Sequence, residues 1–205
     1  IVTHFKPFFL GMLICIAGYV LFYIMIAFSQ IYAKSAPTVS EAGYAMGLGF
    51  SPQIFTALLM CSAISLAITI AISGKYIDIV GRRIWLIWTT FGVAIFGLAL
   101  PYFLDNGTTT SLFWFLMIGM GLIGMGYGPL ASFLPELFPT HARYSGASLT
   151  YNISGLFGAS VAAIIALPLN ANYGLKGVGI YLTLNAVLSL IGLWFITETR
   201  DRQLL

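Results

Sequence analysis

Gly74-Lys75-Tyr76-Ile77-Asp78-Ile79-Val80-Gly81-Arg82-Arg83 is the stretch whose reading decides the fold. It sets Lys75, Asp78, Arg82 and Arg83 between and beside two glycines, in a chain with only nine basic and six acidic residues. Apolar runs of membrane-spanning length flank it on both sides. A short basic turn between two such runs must sit in water, and its Lys and Arg mark it as cytoplasmic. That assignment orients every other segment.

Composition agrees. The chain is 60% hydrophobic and 7% charged, with a mean hydropathy of +0.97. A soluble domain carries roughly 25% charged residues, so this is an all-α integral membrane protein whose first partner is the lipid bilayer. The net charge of +3 is spread over turns and gives no reason to expect a nucleic-acid partner. Cys15 and Cys61 fall inside apolar runs and read as packing residues, with neither a disulfide nor a metal pair expected. His4 and His141 fall in loops. No Ser/His/Asp, histidine-cluster or paired-carboxylate arrangement lies inside the runs, so neither enzyme chemistry nor a metal or organic cofactor is expected. The first apolar run is too long for a cleavable signal peptide, and no small-residue cleavage site follows it.

Crossing a bilayer takes about 20 mostly apolar residues. Six such runs occur, at approximately 8–30, 54–73, 84–104, 112–134, 145–168 and 178–197. With both termini inside, seven basic residues (Lys6, Lys75, Arg82, Arg83, Arg143, Arg200, Arg202) face the cytoplasm and only Lys34 and Lys176 face out. The positive-inside bias therefore favours cytoplasmic termini.

The runs differ in polarity. Tyr19, Tyr23 and Gln30 fall within about 40° of each other on a helix. They either hydrogen-bond a neighbouring helix or line an aqueous cavity. Ser62, Ser65 and Thr69 in the second run can be satisfied by their own backbone. The third run, with Trp85 and Trp88 as interfacial anchors, looks lipid-facing. In the fourth, Gly119, Gly121, Gly124, Gly126 and Gly128 precede Pro129. Gly119-x-Gly121-x-x-Gly124 matches a dinucleotide fingerprint in form alone, since no strand precedes it. Such glycines instead allow close helix approach and bending, and Tyr127 is placed to be exposed at the bend. The turn Pro135–Arg143 carries Glu136 and Arg143 as a charge pair and His141 as a solvated loop residue. The fifth run has a small and polar stripe of Ser148, Asn152, Gly155 and Ala159. A buried Asn152 must find partners, either a helix or a ligand. No charged residue lies deep in any run, so a titrating carboxylate for proton movement is not expected within these residues.

Gly74-x-x-x-Asp78-x-x-Gly81-Arg82-Arg83 between a second and third span resembles the signature loop of the major facilitator superfamily. Leu134-Pro-Glu-Leu-Phe-Pro-Thr-x-x-Arg-Tyr-Ser-Gly-Ala-Ser148 resembles the loop between that superfamily's tenth and eleventh helices. Glu198-Thr199-Arg200 resembles its ending after the twelfth. The second motif looks most like the metabolite:proton symporters, carriers of shikimate, 2-oxoglutarate, citrate and proline/betaine. The resemblance implies helices seven to twelve of a twelve-helix carrier of the bacterial inner membrane. That lobe is a half-bundle of two inverted three-helix repeats, with an N-terminal half lying upstream of Ile1.

It also implies roles. The lobe would move a small organic solute by alternating access, with a proton as coupling ion, which the other half would titrate. Candidate solute contacts are Tyr19, Tyr23, Gln30, Tyr127 and Asn152, with Asn185 left to packing. Gly74, Asp78, Gly81, Arg82, Arg83, Glu136 and Arg143 would form a cytoplasmic conformational latch. The rival expectation is a non-transporting six-helix membrane protein, a regulator, a sensor or a dimerising half-carrier.

Overall fold

The computed structural model describes residues 5–196. Glu198-Thr199-Arg200, Arg202 and His4 lie outside them. Five helical segments are long and apolar enough to cross a membrane. They are α1 (Phe5–Lys34), α2 (Pro52–Val80), α3 (Arg82–Leu104), α4 (Thr109–Glu136) and a 56-residue segment, Thr140–Phe195. At 1.5 Å per residue this last segment is far longer than a hydrocarbon core of about 30 Å. It breaks at Gly174, whose φ of 66° and ψ of −169° are not helical. The expected loop between fifth and sixth runs is therefore a one-residue corner. We label its arms α5 (143–173) and α6 (175–195). Gly155 and Gly192 both lie against α1, next to Tyr19 and to Leu13 respectively, so the chain doubles back at the corner.

The second boundary also differs from expectation. α2 runs on to Val80, and Gly81 alone (φ 101°, ψ 140°) separates it from α3. The charged motif is thus mostly helix, because its polar residues continue α2 past the apolar run into water. Tyr76 stacks on Trp85 across the joint, at 6.2 Å between ring centres. This end of the bundle, with Arg82, Arg83, Glu136 and Arg143, is the charged end. At the opposite, loop end, residues 36–50 form a small hairpin closed by a Val39–Ala45 bridge. Asn170 donates to Ala45 O at 3.1 Å, which pins the hairpin against the Gly174 corner.

Packing follows the small residues. α2 meets α4 where Ser65 donates to Met117 O at 2.9 Å, so this hydroxyl crosses between helices and is not satisfied by its own backbone. Ser62 and Thr69 do bond their own helix, at 2.7 and 2.8 Å. A Cβ on Gly124 would come within 2.6 Å of Leu66 O. α3 meets α6 at Gly97, where a Cβ would lie 2.6 Å from Thr183 Oγ1 and 2.8 Å from Gly179 O. α3 meets α4 through Trp85, whose indole N–H donates to Met125 O at 2.9 Å. That carbonyl is the one left without a helical donor by Pro129, four residues on. α1 meets α6 where the Ser189 hydroxyl donates to Leu13 O and accepts from Ala17 N. α1 meets α5 at Gly155 and Gly158, both against Tyr19.

Exchanging the first three segments with the last three maps this pattern onto itself. α2–α4 becomes α5–α1, α3–α4 becomes α6–α1, and α3–α6 is unchanged. Such a pattern is what a half-bundle of two inverted triplets requires. α3 buries Leu86, Val93, Phe96, Gly97 and Leu100 on one side, against α4 and α6, and leaves the apolar stripe Trp88, Phe91, Ile95, Leu98 and Tyr102 exposed on the other, as expected of a lipid-facing helix. The open helix is α2, with 11% of its apolar window buried. On it Cys61 is exposed, whereas Cys15 is buried as a packing residue.

Candidate functional site

α1 and α5 each contain one π-helical turn, Ile24–Phe28 and Leu156–Ser160. Such turns slip the helix register by a residue and occur often at functional sites. Here they follow Tyr23 and Asn152 by one and four positions, in the middle of the bundle.

Two cavities lie beside these helices. The smaller, about 90 Å³, is enclosed by α1, α3 and α4 and lined by Cys15, Gly18, Tyr19, Thr90, Val93 and Tyr127 among others. It has room for about three waters at ~30 Å³ each, and not for a metabolite. The larger is a cleft of about 670 Å³ between α4 and α5. That is the size of small-molecule sites, about 300–1,000 Å³. Leu130, Ala131, Leu134 and Ala147 supply apolar wall, and Tyr127, Thr140, Arg143, Ser148, Tyr151 and Asn152 supply polar groups.

The Tyr127 and Tyr151 hydroxyls share a short hydrogen bond. Both tyrosines line both cavities, so the pair is the partition between them. Tyr19 packs its ring on Tyr151 at 5.0 Å. Tyr127 itself is 48% exposed.

The sequence candidates therefore divide. Tyr19, Tyr127 and Asn152 come together around the cleft and its partition. Tyr23 and Gln30 line neither cavity, and Tyr23 donates to Ala163 O of α5 at 3.4 Å. Asn152 is exposed and not buried, and its amide donates back to Ser148 O at 2.8 Å within its own helix. Its polarity needs no second helix to satisfy it. Asn185 likewise bonds Tyr181 O and serves packing. Tyr151 and Ser148 join the cleft without having been singled out as contacts. Their shared face with Asn152 was visible in the spacing, but the facing Tyr127 on another helix was not.

At the charged end Arg82 holds two acids. Its Nη2 lies 3.4 Å from Asp78 Oδ1, and its Nε lies 3.1 Å from Glu136 Oε1. The first pair is exposed on the Asp78 side and contributes about 0.3–0.5 kcal/mol. The second ties the start of α3 to the end of α4, with both side chains largely covered. Arg83 points elsewhere. It donates through Nε to Leu193 O at 2.8 Å and through Nη2 to Trp194 O at 3.1 Å. It thus serves the last carbonyls of α6, which lack helical donors. Gly81 is required by its positive φ, while at Gly74 a Cβ would meet nothing within 4 Å. Arg143 lines the cleft, and its Nε, like that of Arg82, is buried with no hydrogen bond of good geometry among the described residues.

Comparison with known proteins adds the family. The sugar (and other) transporter family matches residues 44–205. A protein of Haemophilus influenzae (strain Rd), named only for metabolite transport, is 90% identical over 204 residues, covering 100% of this chain and 46% of its own length. An inner membrane metabolite transport protein of Escherichia coli (strain K12) is 39% identical over 202 residues, 98% of this chain and 44% of its own. A proline/betaine transporter of Salmonella typhimurium is 31% identical over 135 residues, 65% of this chain and 27% of its own. The chain spans about half the length, 44–46%, of the first three curated relatives it matches. No solved structure matches it.

Proposed function

This chain belongs to the sugar (and other) transporter family of the major facilitator superfamily, and from that premise we propose that it is the C-terminal lobe of a proton-coupled symporter for a small organic metabolite. An N-terminal lobe would close over α1, α2, α4 and α5, and the two would rock about a solute held between them. Both termini and the charged end would face the cytoplasm of a bacterial cell, with the bundle in its inner membrane. The observation that carries this is the solute-sized cleft between α4 and α5, polar on one wall and set beside a helix pair interrupted by π turns.

Solute would meet Tyr127, Tyr151, Ser148 and Asn152, with Tyr19 supporting them from behind. Exposed faces on α2 support a second lobe, because an 11% buried helix presents much surface to a partner. Distant similarity to proline/betaine transporters favours a zwitterionic or otherwise small polar solute over a large sugar. The coupling proton would be carried by a carboxylate of the other lobe, as no Asp, Glu, Lys, Arg or His lies deep in these spans.

Asp78, Arg82 and Glu136 would act as a latch. A contact present in one facing state and absent in the other shifts the equilibrium by its differential energy. Uptake of labelled organic acids, betaines and sugars by the full-length carrier in vesicles, with and without a proton gradient, tests the whole reading. Asn152→Ala should raise the apparent KM, and Asp78→Asn should lower the transport rate with insertion intact. Uptake indifferent to both changes, in vesicles that contain the carrier, would overturn these assignments.

A further inference from the structure

We propose that the smaller cavity, behind the tyrosine partition, is a subsite for a branched apolar group of about three or four carbons borne by the solute. The solute's polar part would lie in the α4–α5 cleft. This rests on the carrier reading above and narrows its solute to an amphipathic one.

Three observations converge. The first is the wall. Ile14, Leu21, Val93, Leu122, Ile123 and Leu130 make it largely apolar. The Tyr127 and Tyr151 hydroxyls are taken up by each other, and the Thr89 hydroxyl donates to Trp85 O at 3.0 Å. A buried water needs roughly two to four polar partners, whereas an apolar cavity of about 150 Å³ stays dry and takes benzene. At the same volume per carbon, a cavity of about 90 Å³ takes about three or four carbons and no ring.

The second is why the space exists. At Gly97 and Gly124 helices touch, and a Cβ would collide with the facing helix. At Gly18 a Cβ would meet nothing within 4 Å, and at Gly126 only Thr89 Cγ2, at 3.9 Å. Both line the cavity, from α1 and α4. Larger residues would fit there, so these two glycines keep a space open and do not draw helices together.

The third is access. Gly18 and Phe22 line the cavity and are exposed, which gives it a mouth on α1. Tyr127 and Tyr151 are the wall it shares with the cleft. A solute in the cleft thus has only two rings between itself and the chamber. Each methylene moved from water into such a pocket strengthens binding by about fourfold.

Cys15 lines the chamber and Cys61 is exposed on α2, so one chain carries the reporter and its control. In purified full-length carrier, methyl methanethiosulfonate should label Cys15, read on its peptide by mass spectrometry. Of these two cysteines, the bulkier benzyl methanethiosulfonate should label Cys61 alone. Isobutanol should slow methylthiolation of Cys15 relative to Cys61, and glycerol should not. Gly18→Leu puts an isobutyl group in the mouth. It should keep or raise the melting temperature, shield Cys15 and leave Cys61 as it was. The same variant should raise the apparent KM of the transported solute by about tenfold or more.

Cys15 labelling that isobutanol does not slow, or an unchanged KM in folded Gly18→Leu, overturns the subsite. So does a Cys15 that no reagent reaches, since a chamber sealed throughout the cycle admits no solute. If Gly18→Leu does not fold, size selection and isobutanol protection in the wild type still decide. Were a side chain of the other lobe seated in the chamber, isobutanol would not protect Cys15, and the proposal falls in the same way. All of these results leave wild-type uptake untouched. Absence of that uptake removes the carrier reading instead, whatever the chamber holds.

Discussion

Helix α4 has two neighbours, α2 and α5, and meets them differently. Against one, Gly124 and Gly128 let α2 come so close that Ser65 and Ser73 hydrogen-bond α4 carbonyls directly. Against the other, Tyr127 reaches only the Tyr151 hydroxyl, and a cleft of about 670 Å³ separates α4 from α5. In lipid no hydrophobic force pulls helices together, so close approach needs small residues and interhelical hydrogen bonds. Where the chain supplies glycine and serine, the bundle is shut. Where it supplies tyrosine, space is left for something else.

The contrast breaks first on the shut side. Gly97→Leu forces side-chain atoms into Gly179 O and Thr183, and should destabilise by about 3 kcal/mol. Membrane yield and thermal unfolding in detergent would show it. An undiminished melting temperature would mean that α3 and α6 are not packed as described. Arg83→Ala follows, since it strips donors from Leu193 O and Trp194 O. The expected loss is about 1.5–3 kcal/mol, seen as faster hydrogen exchange at the end of α6 than at its middle.

On the open side the effects are smaller in stability and larger in transport. Tyr127→Phe removes one hydroxyl of the partition and should cost about 1 kcal/mol, with a raised KM and only a small drop in melting temperature. A variant that melts like wild type and transports like wild type would deprive the partition of its role. The smallest effect belongs to Gly74→Ala. Nothing stands within 4 Å of the new methyl, and helix propensity predicts up to about 1 kcal/mol of stabilisation. Loss of uptake in that stabilised variant would show that the other lobe closes onto Gly74.

Membrane class and the charged motif were legible, because apolar run length and charge position are local properties of the chain. The two boundaries that differed were those where one glycine does the work of a loop. Gly81 and Gly174 look like any other glycine in a chain with 22 of them. Only the neighbours they turn toward reveal the positive φ. That α2 is the most open helix was not legible, since only packing partners reveal how much of an apolar helix is covered.

The site divided along the same line. Asn152 and Tyr127 could be named because polar residues in apolar runs are conspicuous one at a time. Arg82 with Glu136 was likewise within reach of the motifs. That the two arginines would divide, Arg83 turning to α6 while Arg82 held Asp78 and Glu136, could not be read from spacing, since both look like loop cations.

By itself the sequence determined that this chain lies in a bilayer and which family it resembles. Tertiary structure decided which faces close, which tyrosines meet and which acid Arg82 reaches. The physical reason is range. Transfer to lipid is summed residue by residue along the chain, whereas a cleft and its partition exist only between helices brought together from far apart in it.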